Sequence, residues 1–186
     1  LSTWVNLLAA ALTMAATLFY VFVYTSWLKR HTSQNIVIGG AAGAIPPLVG
    51  WAAITGGLDL PALYLFGVVF LWTPPHFWAL ALLIQRDYER AGIPMLPVVS
   101  GREATVLAIF VYALVLVALT LVFATTSAVG WVYLGVAVPL GSIFVALAWR
   151  LKQEVSTRQA RKLYLYTLLY LALLFVAMIV DSTVGF

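Results

Sequence analysis

Apolar residues in this chain neither alternate with polar ones at period two nor confine themselves to one stripe of a helix. They run on. Six stretches, at about 4–27, 36–55, 62–85, 104–125, 129–149 and 163–181, hold no Asp, Glu, Lys or Arg in their interiors. At 1.5 Å per residue, about 20 residues suffice to cross a hydrocarbon core of roughly 30 Å. A charge at mid-membrane costs about 2.5–3.5 kcal/mol on insertion scales, so six uncharged runs of this length predict six spans. Lipid offers no hydrogen bonds, which restricts each span to a helix, and the alternation of a membrane barrel is absent. The fold class expected is all-α, a polytopic transmembrane helical bundle, with residues 1–186 forming a single domain.

Composition agrees with the pattern. Of 186 residues, 64% are hydrophobic and 9% charged, against roughly 25% charged in soluble domains. The net charge of +4 has no basic helix or aromatic-interleaved patch behind it, so nucleic acid is not an expected partner; the lipid bilayer is. The absence of cysteine excludes disulfide, thiolate and zinc-thiolate chemistry. All ten Lys and Arg residues fall in 28–35, 86–103 and 150–162, whereas 56–61, 126–128 and 182–186 hold none. These segments alternate along the chain, and the positive-inside rule puts the basic ones in the cytoplasm. Both 86–103 and 150–162 are long enough to carry function or to lie as interfacial helices.

Four places could carry chemistry. In the second stretch Gly39, Gly43, Pro46 and Gly50 share one helical face, with Pro47 beside them. That face is either a small-residue packing seam or a flat wall leaving room for a large ligand, with carbonyls exposed by a proline break. The third stretch contains Trp72-Thr73-Pro74-Pro75-His76-Phe77. Its prolines bend or loosen a helix, and an intramembrane histidine either bonds a neighbouring helix or marks function. If that helix runs on past the prolines, Thr73, His76, Leu80, Leu83 and Asp87 share a face, with Asp87 about 16 Å above His76.

Arg86, Asp87, Tyr88, Glu89 and Arg90 follow, then the stiff apolar run Ala91-Gly92-Ile93-Pro94-Met95-Leu96-Pro97. The charges read as a self-neutralising loop or as a site for a Mg²⁺-diphosphate. Such a metal takes hard oxygen ligands and keeps phosphates in its shell, while arginines hold the remaining anionic oxygens. Lys29 and Arg30 sit at the same depth on the same side, as topological charge or as further phosphate ligands. The five basic residues of 150–162 read as topology and as attraction to anionic lipid.

Leu28-Lys29-Arg30, Gly39-Gly40-Ala41-Ala42-Gly43-Ala44-Ile45-Pro46-Pro47 with Gly50-Trp51, Trp72 to Phe77, and Asp87-Tyr88 with Ala91 to Pro97 occur in that order. Together they resemble the heme-farnesylating (heme O synthase) branch of the UbiA-type intramembrane prenyltransferase superfamily. The resemblance implies a nine-helix bundle of which this chain supplies the last six helices, N-terminally incomplete, in a bacterial cell membrane. It implies farnesyl diphosphate and heme B as substrates, Mg²⁺ as cofactor, heme O as product, and heme A synthase or a terminal-oxidase assembly as partners. By the same resemblance Asp87, His76 and Tyr88 are catalytic, with Asp87 a Mg²⁺ ligand. Lys29, Arg30, Arg86 and Arg90 bind diphosphate; Gly39, Gly43, Pro46, Pro47, Trp72 and Phe77 line the chamber for heme or the prenyl chain. The superfamily's first acidic motif has no counterpart here, and Ala91 stands where relatives often carry a second Asp. A prenyltransferase acting on a quinone or chlorophyll precursor is the nearest alternative, and a transporter or membrane scaffold the one from another class.

Overall fold

The computed structural model describes residues 5–184, and the described residues are helical wherever they are regular. The first span is α1 (Leu7–Leu18), a π-helical stretch (Phe19–Leu28) and the single turn α2 (Lys29–His31). The second is α3 (Asn35–Gly43) and α4 (Pro46–Thr55); the third is α5 (Leu60–Leu83). The short helices α6 (Gln85–Arg90) and α7 (Leu96–Val99) lead to α8 (Gly101–Phe123), α9 (Trp131–Gln153) and α10 (Thr157–Val184). Among the described residues six helices are long and apolar enough to cross a membrane. The protein is an integral, multi-pass membrane protein.

Helices α5, α8, α9 and α10 pack into a bundle, and α3 and α4 lie against α5 on its other side. Tyr133, Phe144, Tyr170, Ile109, Leu116, Leu151 and Leu163 are fully buried in its core. Where α9 crosses α8, a Cβ on Gly141 would come within 2.7 Å of Val117 Cγ1; only glycine allows that approach. The first span is the outermost. Leu7, Met14, Leu18, Phe22 and Trp27 are exposed, as expected of a helix whose solvent is hydrocarbon.

One feature decides between the alternatives that the sequence left open, and two differ from its reading. The second span is not one helix but breaks at Ala44–Ile45, because Pro46 and Pro47 cannot donate to Ala42 and Gly43; Pro46 then starts α4, where a missing N–H costs nothing. The third span passes through Pro74 and Pro75 without interruption but stops at Leu83, and α6 starts afresh after Ile84 (φ −114°, ψ 30°). The helical register from His76 to Asp87 is therefore broken. The basic segment 150–162 is no long loop. α9 and α10 extend beyond the apolar runs until only residues 154–156 separate them, since Arg, Lys and Gln are good helix formers once clear of lipid.

At the opposite end, Asp181 on α10 is only 4% exposed. Its carboxylate accepts from the backbone N–H groups of Gly130, of Val132 (3.0 Å) and of Tyr133 (3.1 Å). Those are the orphan donors at the start of α9, so Asp181 caps a helix from 48 residues or more away in sequence. Asp181→Ala is expected to destabilise the fold by about 1–3 kcal/mol, since it leaves buried donors unpaired. A thermal unfolding midpoint in detergent unchanged from the parent would refute that role.

Candidate functional site

Two recesses lie one below the other, a polar one at the basic end of the bundle and an apolar one deeper in it. The first is a hollow of about 690 Å³ lined by Arg86, Asp87, Glu89 and Arg90 of α6, Arg102 of α8 and Thr157 of α10. The break at Ile84 builds it by turning α6 away from α5, and Gly92, at φ +63°, returns the chain towards α7. Gln85 fastens α6, donating to Glu89 Oε1 (2.9 Å) and to the Pro97 carbonyl (3.2 Å). Arg90 is 3.9 Å from Asp87, an exposed pair that contributes little to stability and leaves both groups available to a ligand. Arg102 Nε is buried without a partner. A guanidinium N–H left unpaired in a basic hollow is suited to an anion.

Arg86, Asp87 and Arg90 are thus brought together, as expected, and Glu89, Arg102 and Thr157 join them. Tyr88 is not in the hollow. It is half-buried on the side of α6 that packs against the core, within electrostatic reach of Tyr24 in the first span. Burial raises its hydroxyl above the usual phenol range, so Tyr88 is a neutral donor at physiological pH. Lys29 and Arg30, exposed in α2, do not line the hollow either. Asn35 donates to the Lys29 carbonyl at 3.5 Å and has a buried, unpartnered Oδ1.

The second recess is an apolar cavity of about 300 Å³ inside the membrane-spanning region, walled by Tyr20, Tyr24, Ile36, Gly39, Gly40, Gly43, Val69, Trp72, Thr73 and Phe77. On α5 its wall starts at Phe77, about 9 Å below Leu83, and continues to Val69, about 21 Å below. Glycines make its shape. A Cβ on Gly39 would overlap the Tyr24 ring, and one on Gly40 would lie 3.1 Å from Thr73 Cγ2. Tyr20 and Tyr24 reach it from the π-helical stretch, their rings 5.3 Å apart. In that stretch Thr25 and Ser26 bond back to carbonyls five residues earlier, as a π-helical turn requires.

Of the chamber residues expected, Gly39, Gly43, Trp72 and Phe77 line this cavity. Pro46 and Pro47 do not; Pro46 lines a separate recess of about 260 Å³ with Thr13 and Thr17. Sequence reasoning missed Tyr20, Tyr24 and Arg102. The four-residue spacing of the tyrosines was a usable signal, whereas nothing local set Arg102 apart from topological charge.

His76 is 7% exposed, between α5 and α10. Its ring stacks on Trp72 (centroids 4.3 Å apart) and on Tyr164 (4.9 Å), and meets Phe77 edge-on. Nδ1 lies 2.7 Å from Thr167 Oγ1. Among the described residues no three His, Cys, Asp or Glu side chains gather to hold a metal ion. Asp87 and Glu89 together with arginines therefore suit a hard cation held mostly by phosphate oxygens rather than one caged by protein.

Comparison with known proteins bears on the assignment. The chain is 55% identical over 184 residues to "Protoheme IX farnesyltransferase" of Nostoc sp., covering 98% of this chain and 58% of that protein. It is 56% identical to the protein of the same name from Gloeobacter violaceus, covering 98% of this chain and 60% of the relative. The chain thus spans somewhat over half the length of these curated relatives. A solved structure described as concerning digeranylgeranylglyceryl phosphate synthase in membranes superposes with a TM-score of 0.82, over 97% of this chain and 63% of that one, at 17% identity. That likeness concerns the fold alone. The model of the UbiA prenyltransferase family matches residues 1–179, and the chain belongs to that family.

Proposed function

We propose that the protein transfers a farnesyl group from farnesyl diphosphate to a vinyl group of heme B (protoheme IX), making heme O for terminal oxidases. The observation that carries this reading is the 55% identity over nearly the whole chain to a relative of that name. The hollow and the cavity supply the chemistry the reaction needs. Arg86, Arg90 and Arg102, which line the hollow, take the diphosphate oxygens. Asp87, with the phosphate oxygens, would hold a Mg²⁺ ion, which would supply charge stabilisation to the leaving group. Lys29 and Arg30 add positive potential at the same end, which the positive-inside rule puts in the cytoplasm.

Ionisation moves the electron pair of the C–O bond onto diphosphate. The apolar cavity receives the isoprenoid chain and, with its aromatic walls, keeps water from the allylic cation. The vinyl π pair forms the new C–C bond, leaving a cation on the carbon next to the macrocycle. One water then adds there, giving the hydroxyl of heme O, and gives up a proton. His76 accepts that proton. Tyr88, neutral and half-buried against the core, is a donor near Tyr24 of the cavity wall.

Asp87→Asn is expected to lower turnover by roughly 100-fold or more, on the scale of losing a preorganised electrostatic group, at unchanged protein level in the membrane. Heme O formation, read by pigment extraction against expression level, is the measurement; near-normal turnover would return Asp87 to the role of a solvated charge. Gly39→Ala is expected to push Tyr24 into the cavity, at about 1–3 kcal/mol of overpacking, and to reduce heme O by about 10-fold. Removing the ring in a Gly39→Ala, Tyr24→Ala double variant restores part of the activity. A double variant no better than Gly39→Ala alone would show that the glycine acts elsewhere.

A further inference from the structure

Thr167, on α10, connects two elements of the proposed site. Its hydroxyl donates to the Tyr164 carbonyl at 2.6 Å, one turn back on the same helix. With its single proton committed there, Oγ1 can only accept from His76 Nδ1, 2.7 Å away. The Thr167 carbonyl accepts from Trp72 Nε1 at 2.7 Å. One residue of α10 therefore holds both the histidine and the cavity-wall tryptophan stacked on it. Tyr164, on the ring's other side, makes a sandwich, with interplanar angles of 16° to Trp72 and 24° to Tyr164. A ring clamped in this way cannot flip to exchange its two nitrogens.

Among the described residues the second ring nitrogen, Nε2, has no hydrogen-bond partner, and it is not fully enclosed. His76 does not itself line the cavity, but Trp72 and Phe77, the two α5 rings packed against it, do. We infer that Thr167 is a positioning residue, fixing neutral His76 as the Nδ1–H tautomer so that Nε2 presents its lone pair to the substrate space. This rests on the proposed role of His76 as the proton acceptor. In that step the oxygen of water forms a bond to the cationic carbon next to the macrocycle. One O–H bond breaks, and its proton passes to Nε2, from which it later leaves to bulk water. No oxidant or reductant is required. With the tautomer reversed, Nε2 would carry a proton and could not accept another.

The test uses the full-length enzyme in its membrane, comparing Thr167→Val, which keeps the shape and loses the hydroxyl, with Thr167→Ser, which keeps the hydroxyl. Thr167→Val is expected to lower heme O turnover by roughly 10–100-fold, within the range attributed to a general base, and Thr167→Ser to restore most of it. The ¹⁵N spectrum of imidazole-labelled protein, with His76 assigned by its loss in His76→Gln, should show the unprotonated nitrogen at Nε2 in the parent. In Thr167→Val it should shift towards Nδ1. A parent spectrum with the unprotonated nitrogen at Nδ1 overturns the inference without any variant of Thr167, whether or not Thr167→Val folds. Full turnover in Thr167→Val beside a large loss in His76→Ala overturns it too, while leaving the role of His76 standing. Full turnover in His76→Ala removes both.

Discussion

A backbone carbonyl or N–H in hydrocarbon has no water to fall back on, and leaving one unpaired costs several kcal/mol. Every departure from regular helix in this chain has to answer to that constraint. Pro46 and Pro47 remove two donors in mid-span, and the chain responds by ending α3 and restarting as α4. Pro74 and Pro75 remove two more from α5, which nonetheless runs on. Packing from α8 and α10 holds that helix in place. In the π-helical stretch Thr25 and Ser26 bond back to backbone carbonyls. The cavity lies where these departures converge: the broken helix, the widened helix and the proline-bearing helix supply its three walls.

Charge obeys a complementary rule. Carboxylates and guanidinium groups stay at the ends of the helices, where the hydrated headgroup region spares them desolvation. Asp87, Glu89 and three arginines gather at one end, in a hollow open enough for a polyanion. Asp181 sits at the other, buried but satisfied by three backbone donors. Both carboxylates stand at helix ends, yet they serve different purposes. Asp181 has its lone pairs taken up by N–H groups and completes α9, whereas the one contact of Asp87 is an exposed arginine, so its oxygens remain free.

The sequence was most legible where a single property decided the outcome. Six spans follow from the exclusion of charge, and the structure puts helices over all of them. The glycine face of α3 was visible from spacing, but its meaning depended on Tyr24 pressing against Gly39, a contact between different spans that no local pattern encodes. Asp87 was legible because a carboxylate among arginines at a span end is unusual. The continuous helical face drawn from His76 to Asp87 was not there, since the break at Ile84 is set by the packing of α6 and α7 rather than by a proline or glycine. The basic run at 150–162 misled for another reason. Charge marks where lipid ends, while helix propensity and packing decide where a helix ends, and at α9 and α10 the two boundaries differ.

The separation of the two recesses fits the reaction proposed for them. A diphosphate needs cations and hydrogen-bond donors, and its release must be stabilised electrostatically. The allylic cation left behind is destroyed by the very water that hydrates such a site. A protein built for both has to divide them along the membrane normal, with the polar hollow at the interface and the apolar cavity beginning about 9 Å beneath it. Phe77 marks the top of that cavity, and His76 lies beside it on α5. It is held by stacking and by Thr167 rather than by a charge. A neutral, oriented base suits the place, because a carboxylate there would have to be desolvated and would trap the cation. An imidazole can wait uncharged and accept a proton only once water has added.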